Sequence, residues 1–388
     1  MIRAVENKTS THERTFSEIK RLSLAGLEGP ELMHRTAERL RRAVPFEAYC
    51  VGTLDPASTL MTYVLNGGSV GEEDHTAAHR DVLARTYFEE DLGRLASMFH
   101  ERRPAQRLSE AVGALDRSLR YREYLRPLGL GHELAVLFAD GAPWGAGYLT
   151  REAGDPDFES REVAIVKRVA PHVGAGLKAA ALCSRATDEQ QGPDVPGVLT
   201  LDRKGRVLSY TPAAERLLSE IENLSPAWQR NGVPIPVRMV VGALKLALNP
   251  GSDRDLDLVP KVRLRARSGR WMTLHASLTE PASERPSETV VVIAASKPEE
   301  VAWLNVASYD LTPREEEIVE LVARGRSTRQ ISEALFISEH TVQNHLRSVF
   351  EKTEVHSRRE LVQRLFFENL LPDMLGEQRL TDATRRGD

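Results

Sequence analysis

Ser327-Thr328-Arg329-Gln330-Ile331-Ser332-Glu333-Ala334-Leu335-Phe336-Ile337-Ser338-Glu339-His340-Thr341-Val342-Gln343-Asn344-His345-Leu346-Arg347 reads as two short helices joined by a four-residue turn. Ser327 and Gln330 stand three residues apart, the spacing at which a hydroxyl and an amide cap each other's backbone N–H at a helix start. Leu311-Thr312-Pro313-Arg314-Glu315 carries the same logic, with Pro313 at the first helical position, and Ser357-Arg358-Arg359-Glu360 carries it again. Ser338 is a further N-cap without the reciprocal acid. Four start signals in so short a stretch predict four short helices. Each has apolar residues at helical spacing: Ile318, Leu321 and Val322; Ile331, Ala334 and Leu335; Val342, Leu346, Val349 and Phe350; Leu361, Val362, Leu365 and Phe366. Gly325 stands where the first helix needs a left-handed exit.

The third of these helices has two unlike sides. Val342, Leu346, Val349 and Phe350 form the apolar one; His340, Gln343, Asn344, Arg347 and Glu351 form the other. Gln and Asn side chains pair bidentately with adenine, and Arg with guanine, in the major groove. Thr341 and His345 flank that face at positions suited to phosphates. A polar face is also the ordinary solvated side of an amphipathic helix. Its place directly after a capped two-helix unit favours the reading helix.

These residues, from Leu311-Thr312-Pro313-Arg314-Glu315 through Gly325 to Ile337-Ser338-Glu339-His340-Thr341-Val342-Gln343-Asn344-His345-Leu346, resemble the LuxR-type helix-turn-helix domain over about sixty residues. The resemblance implies an all-α four-helix domain at 309–370 that binds double-stranded DNA. It maps base reading onto Gln343, Asn344 and Arg347, and phosphate contacts onto Thr328, Arg329, Thr341, His345 and Arg358. It gives the fourth helix a dimer contact, with Leu361, Val362, Leu365 and Phe366 as candidates. Two positions depart from the common pattern. His340 and Gln343 stand where many members carry Lys, which weakens the electrostatic footprint. Glu354 stands where many carry Gly or Asn, so a Glu is expected to strain a left-handed turn.

The whole chain bounds the rest. Its 388 residues suit two or three domains, and no apolar run approaches the roughly 20 residues of a membrane span. The N-terminus lacks an apolar export core, and the two cysteines, Cys50 and Cys183, form neither a metal pattern nor a disulfide framework. A cytoplasmic protein is expected. The formal charge is −4, and residues 309–370 hold nine Arg and Lys against eleven Asp and Glu. DNA affinity must then come from arrangement, with Arg326, Arg329, Arg347, Lys352, Arg358 and Arg359 gathered on one side.

Upstream, helical spacing runs from His12 to Val44, followed by strands at Phe46–Leu54 and Thr59–Val64 and a mostly helical stretch from Thr76 to Tyr124. A hairpin follows, Glu133–Ala139 and Trp144–Thr150 around Asp140-Gly141-Ala142-Pro143, then a long amphipathic helix, Phe158–Ala186, with Pro171 marking a kink or break. Residues 12–186, with Tyr121-Arg122-Glu123-Tyr124-Leu125-Arg126-Pro127-Leu128-Gly129 before the Trp144-Gly145 hairpin, resemble an α+β GAF domain. Residues 187–196 read as a polar linker. Beyond it, Asp202-Arg203-Lys204-Gly205 turns a hairpin, Thr211-Pro212 opens a helix, Val237–Leu248 is another, and three strands follow around Arg267-Ser268-Gly269-Arg270-Trp271. Residues 197–297 resemble an α+β PAS domain. Residues 298–308 read as a helical connector and 371–388 as a frayed tail. No internal repeat is legible.

No catalytic, Walker or dinucleotide fingerprint is present, so no enzyme activity and no cofactor are expected. His75 and His79 read as a surface pair rather than metal ligands, and His100 and His132 as hydrogen-bonded side chains rather than haem ligands. Trp144 and Trp271 either cover the sheets or line pockets. Asp81, Glu89, Glu90 and Asp91 read as a solvated acidic helix face. The expectation is a multidomain transcription regulator, acting as a homodimer on double-stranded DNA, with RNA polymerase as a further partner. A small-molecule ligand in the sensory domains is the expected signal. Two other classes share its features: a ligand-binding or enzymatic protein using the helix-turn-helix for protein contacts, and a sigma-like polymerase subunit. The second should also carry a promoter-melting domain rich in aromatic and basic residues, and none is visible.

Overall fold

Apolar residues at helical spacing and capped starts produce helices at both ends of the chain, and alternating apolar runs produce two sheets between them. A computed structural model describes residues 2–69, 77–183, 195–221, 233–248, 259–280, 287–296, 311–323 and 325–361. The connector 298–308, the tail from 371 and nearly all of the linker 187–196 lie outside the described residues, as does His75. The chain divides into two compact units, Met1–Ala295 and Ser296–Asp388.

The first unit opens with α1 (Ile2–Ser23) and α2 (Gly29–Leu40), where one continuous helical pattern was read; Gly26, with φ +66°, turns the chain between them. Strands β1 (Ala48–Leu54) and β2 (Met61–Gly68) form a hairpin with β2 starting two residues later than its spacing suggested. Then come α3 (Ala77–Thr86), a wide helical turn at Tyr87–Asp91, and α4 (Leu92–His100). A strand absent from the sequence reading, β3 (Ala105–Arg107), interrupts the helical stretch and pairs with β4. After α5 (Leu108–Val112), β4 (Leu130–Asp140) and β5 (Ala142–Glu152) make a hairpin that turns on Gly141. The helix α6 (Ser160–Cys183) continues through Pro171 without a break and packs on β4. The sheet order is β2-β1-β5-β4-β3, antiparallel throughout.

The second sheet comprises β6 (Gly197–Leu201), β7 (Val207–Tyr210), β8 (Lys261–Arg265), β9 (Trp271–Leu278) and β10 (Thr289–Ala295), with α7 (Pro212–Ser219) and α8 (Ile235–Ala247) inserted. Thr211 caps α7 by accepting from the Ala214 N–H at 3.2 Å. Its order is β7-β6-β10-β9-β8. Counted within each sheet, both follow the order second, first, fifth, fourth, third, a repetition invisible in the sequence.

The two sheets share one apolar core. Leu60, Phe88 and Tyr148 of the first and Leu199, Val240 and Leu274 of the second belong to a single buried cluster. A Cβ on Gly242 of α8 would collide with the ring of Phe88, so only glycine lets the helix approach so closely. Asp55, buried after β1, accepts from the Arg263 N–H at 3.0 Å and lies 3.5 Å from that residue's guanidinium, which ties β8 to the first sheet. Burial pushes the Asp55 carboxyl up, and Arg263 opposes that rise.

The acidic run is a solvated face only in part. Asp91 is buried 3.0 Å from the Arg120 guanidinium, and Arg120 also donates to Glu133. Glu90 accepts from the backbone N–H groups of Leu119 and Arg120 at 3.1 and 2.8 Å. Asp91 and Glu133 are buried against cations from distant segments, Arg120 and Arg94, which offset part of the cost of taking charge out of water. Asp81 and Glu89 fit the surface reading, both being exposed; Asp81 pairs with Arg238 at 3.1 Å. His132 Nδ1 stands 3.8 Å from Asp157. Among the described residues no His, Cys, Asp and Glu cluster could hold a metal, and no helix is long and apolar enough to cross a membrane.

Candidate nucleic-acid interface

Three helices in the second unit, α9 (Pro313–Ala323), α10 (Thr328–Leu335) and α11 (Glu339–Thr353), begin where the capping residues stand. The Thr312 N–H donates to Glu315 at 2.7 Å. Ser327 and Gln330 cap each other, with bonds of 2.9 and 3.3 Å. The Ser338 hydroxyl accepts the Thr341 N–H at 3.1 Å. Residues 358–361 begin a fourth helix. There Ser357 accepts the Glu360 N–H at 3.1 Å, but the Glu360 carboxylate reaches back to the His356 N–H, one residue earlier than the capping-box reading.

Gly325 leaves α9 at φ +75°. The connection between α10 and α11 is residues 336–338, shorter by one than its reading, because Phe336 itself takes the left-handed position at φ 53°. Phe336 is 95% exposed, three residues before α11 begins. Sequence reasoning passed over Phe336; its signal was a large aromatic at the position after a helix where glycine is usual.

The core of this unit is small and its own. Ile318, Val322, Ile331, Val342, Leu346, Val349, Val355 and Leu361 are buried together. Each such side chain contributes roughly 1.5–3 kcal/mol on burial. Facing away from that core, His340, Gln343, Asn344, Arg347 and Glu351 are exposed on α11, so the two sides read from spacing are the two sides formed. Gln343, Asn344 and Arg347 have no hydrogen-bond partner among the described residues, and their donors and acceptors are free for another molecule.

The profile of bacterial regulatory proteins, luxR family, matches residues 309–365. The spore germination protein GerE of Bacillus subtilis is 42% identical over 55 residues, 14% of this chain and 74% of its own length. The chain belongs to the LuxR family of bacterial regulatory proteins. The monoamine regulon transcriptional regulator of Klebsiella aerogenes is 52% identical over 54 residues, covering 14% of this chain and 24% of the relative. The transcriptional regulatory protein DesR of Bacillus subtilis is 40% identical over 67 residues, covering 17% and 34%. The LuxR-family chain thus spans about a quarter to a third of the length of these two regulators.

Within this LuxR-type domain the cations do not all gather on one side. Lys352 donates to Glu315 at 2.7 Å and ties α11 to α9. Burial pushes the Glu315 carboxyl up, but the Lys352 ammonium, the Ser348 hydroxyl and Thr312 outweigh it and bring it down to about 2. Arg358 is half-buried and donates to the Arg326 carbonyl, and burial lowers its pKa. Arg329 pairs with Glu333 at 3.0 Å but stays exposed. Arg314, unremarked in the sequence, donates to the Leu335 carbonyl at 2.6 Å and closes the end of α10. Thr328, Thr341 and His345 are partly exposed along α10 and α11. Of the dimer candidates, Leu361 is fully buried in the domain's own core and has no surface for a partner. Val362, Leu365 and Phe366 lie outside the described residues.

Proposed function

We propose that this LuxR-family chain is a sequence-specific, DNA-binding transcription regulator that works as a homodimer. Its base readers are Gln343, Asn344 and Arg347. Thr328, Arg329, Thr341, His345 and Arg358 make the phosphate contacts, for which Arg358 must exchange its carbonyl partner for a phosphate. The observation that carries the reading is the exposed, unpartnered polar face of α11 in a domain that shares the sequence of known regulators. A GAF-like region at 12–186 and a PAS-like region at 197–297 sense the signal that modulates DNA binding; the two antiparallel sheets flanked by helices support that reading. Residues 187–196 and 298–308 link the regions, and RNA polymerase is the partner on the promoter.

Selection of sites from random DNA by the full chain tests this. One helix-turn-helix specifies few base pairs, so a dimer should return a near-palindrome with half-sites about 10 base pairs apart or a multiple of that. Arg347→Ala should relax preference at one base pair of each half-site, a loss of ~1–3 kcal/mol of discrimination. Arg329→Ala should instead weaken all sequences alike. An unchanged motif from Arg347→Ala would remove α11 from the groove.

A further inference from the structure

The seam between the two sheets holds a cavity of about 350 Å³ that is open on one side, lined from both sheets: Tyr63 and Trp144 come from the first sheet, and Arg265, Arg267 and Trp271 from β8, its turn and β9. That volume is within the range of small-molecule sites. Residues along β8 explain the lining. Val262 and Leu264 are buried in the shared core, so Arg263 and Arg265 project from the opposite face. Arg265 is the cross-strand neighbour of Trp271. Its guanidinium is fixed by the carbonyls of Ala181, at the end of α6, and Gly269.

Two groups at this cavity are left for a ligand. Arg267 is exposed and donates to the Ser219 carbonyl, and no carboxylate pairs with it among the described residues. Trp271 is partly exposed, and its indole N–H has no acceptor among the described residues. Trp144 differs: its N–H is satisfied by the Asp140 carbonyl at 3.0 Å, and its ring is buried against the cavity wall. A cation and an unused N–H beside three aromatic rings suit a flat apolar body carrying one acidic group.

We propose that the cavity between the two sheets binds an aromatic carboxylate, with Arg267 and the Trp271 indole N–H holding the carboxylate and Trp144 and Tyr63 covering the ring. The proposal rests on the reading that the first unit senses a signal. It supplies that reading with a physical lever, because a ligand here touches both sheets and α6 at once and stabilises whichever arrangement of the seam it fits best.

Calorimetric titration of the full-length chain with 1-naphthoate, and with 1-naphthamide as its uncharged match, tests the site. The acid should bind saturably and the amide at least tenfold more weakly. Arg267→Gln should weaken the acid by roughly ten- to a hundredfold, the worth of one charge-assisted hydrogen bond, with the parent's unfolding temperature. Should Arg267→Gln unfold early, Trp271→Leu decides, and it should weaken acid binding with the fold intact. Absence of saturable binding, equal binding of acid and amide, or undiminished binding by the folded variant overturns the site. A gel shift with and without 1-naphthoate separates the two readings. Binding of the acid with unchanged DNA affinity keeps the site and removes its regulatory role. DNA binding by a chain that does not bind the acid removes the site and leaves the DNA-binding reading standing.

Discussion

Replacing Glu315 by Gln removes one negative charge from the join between α9 and α11 and leaves the side chain's shape nearly intact. The carboxylate is 5% exposed and accepts from Lys352 at 2.7 Å and from the Thr312 N–H at 2.7 Å. Its pKa falls from 4.5 in an unfolded chain to about 2 in the folded one. A folded pKa below the unfolded value means stability that is fully present above 4.5 and is lost as the pH falls toward about 2. The drop corresponds to about 3 kcal/mol at neutral pH, a large share of what a domain this small can hold. Urea unfolding of residues 296–388, followed by circular dichroism, measures it, since the buried core between Leu311 and Leu361 is drawn from that segment alone. Glu315→Gln should lose most of that 3 kcal/mol at about pH 7; the gap between variant and parent should shrink to less than half by about pH 3 and nearly close by about pH 2. A gap that stays constant over this range would show that packing, rather than charge, holds the two helices together.

Two further outcomes follow from the buried charges and the strained turn. Arg120→Leu leaves Asp91 without its cation in the interior, while Glu133 keeps Arg94 at 2.9 Å, and should cost roughly 3–5 kcal/mol, read as an early thermal transition of the full chain; a change within the noise of the scan would mean the cluster is hydrated. Glu354 adopts φ 52°, a conformation that costs a non-glycine residue roughly 1 kcal/mol, so Glu354→Gly should raise the urea midpoint of residues 296–388, and a lower midpoint would count against strain at that turn.

The helix starts of the second unit were legible because capping is local: Thr312, Ser327, Ser338 and Ser357 bond to backbone groups three residues away, within one reading window. The exposed face of α11 was legible for the same reason, since spacing alone decides which side of a helix is apolar. Long-range partners were not. Lys352 was counted among the cations for DNA, yet its acid, Glu315, stands on another helix. Glu90 and Asp91 looked like surface charge because their donors, at Leu119 and Arg120, come some thirty residues later. The strand β3 was missed because three residues give too short a run to alternate visibly. Phe336 was missed because the turn was read as one residue longer, which hid the aromatic standing where a helix exit usually has glycine.

The shared interior of the two sheets bears on how this chain can be rearranged. Sensory and DNA-binding parts are commonly recombined as cassettes, and the polar sequence at 187–196 invites a cut there. A cut at that point would strip Phe88 from its seat on Gly242, separate Asp55 from Arg263, and bare the apolar cluster on both halves. The workable seam for a chimera is after Ala295, where the chain passes from one compact unit to the other. The first unit is therefore transplantable only whole, and drift in the residues lining one sheet has to be matched in the other.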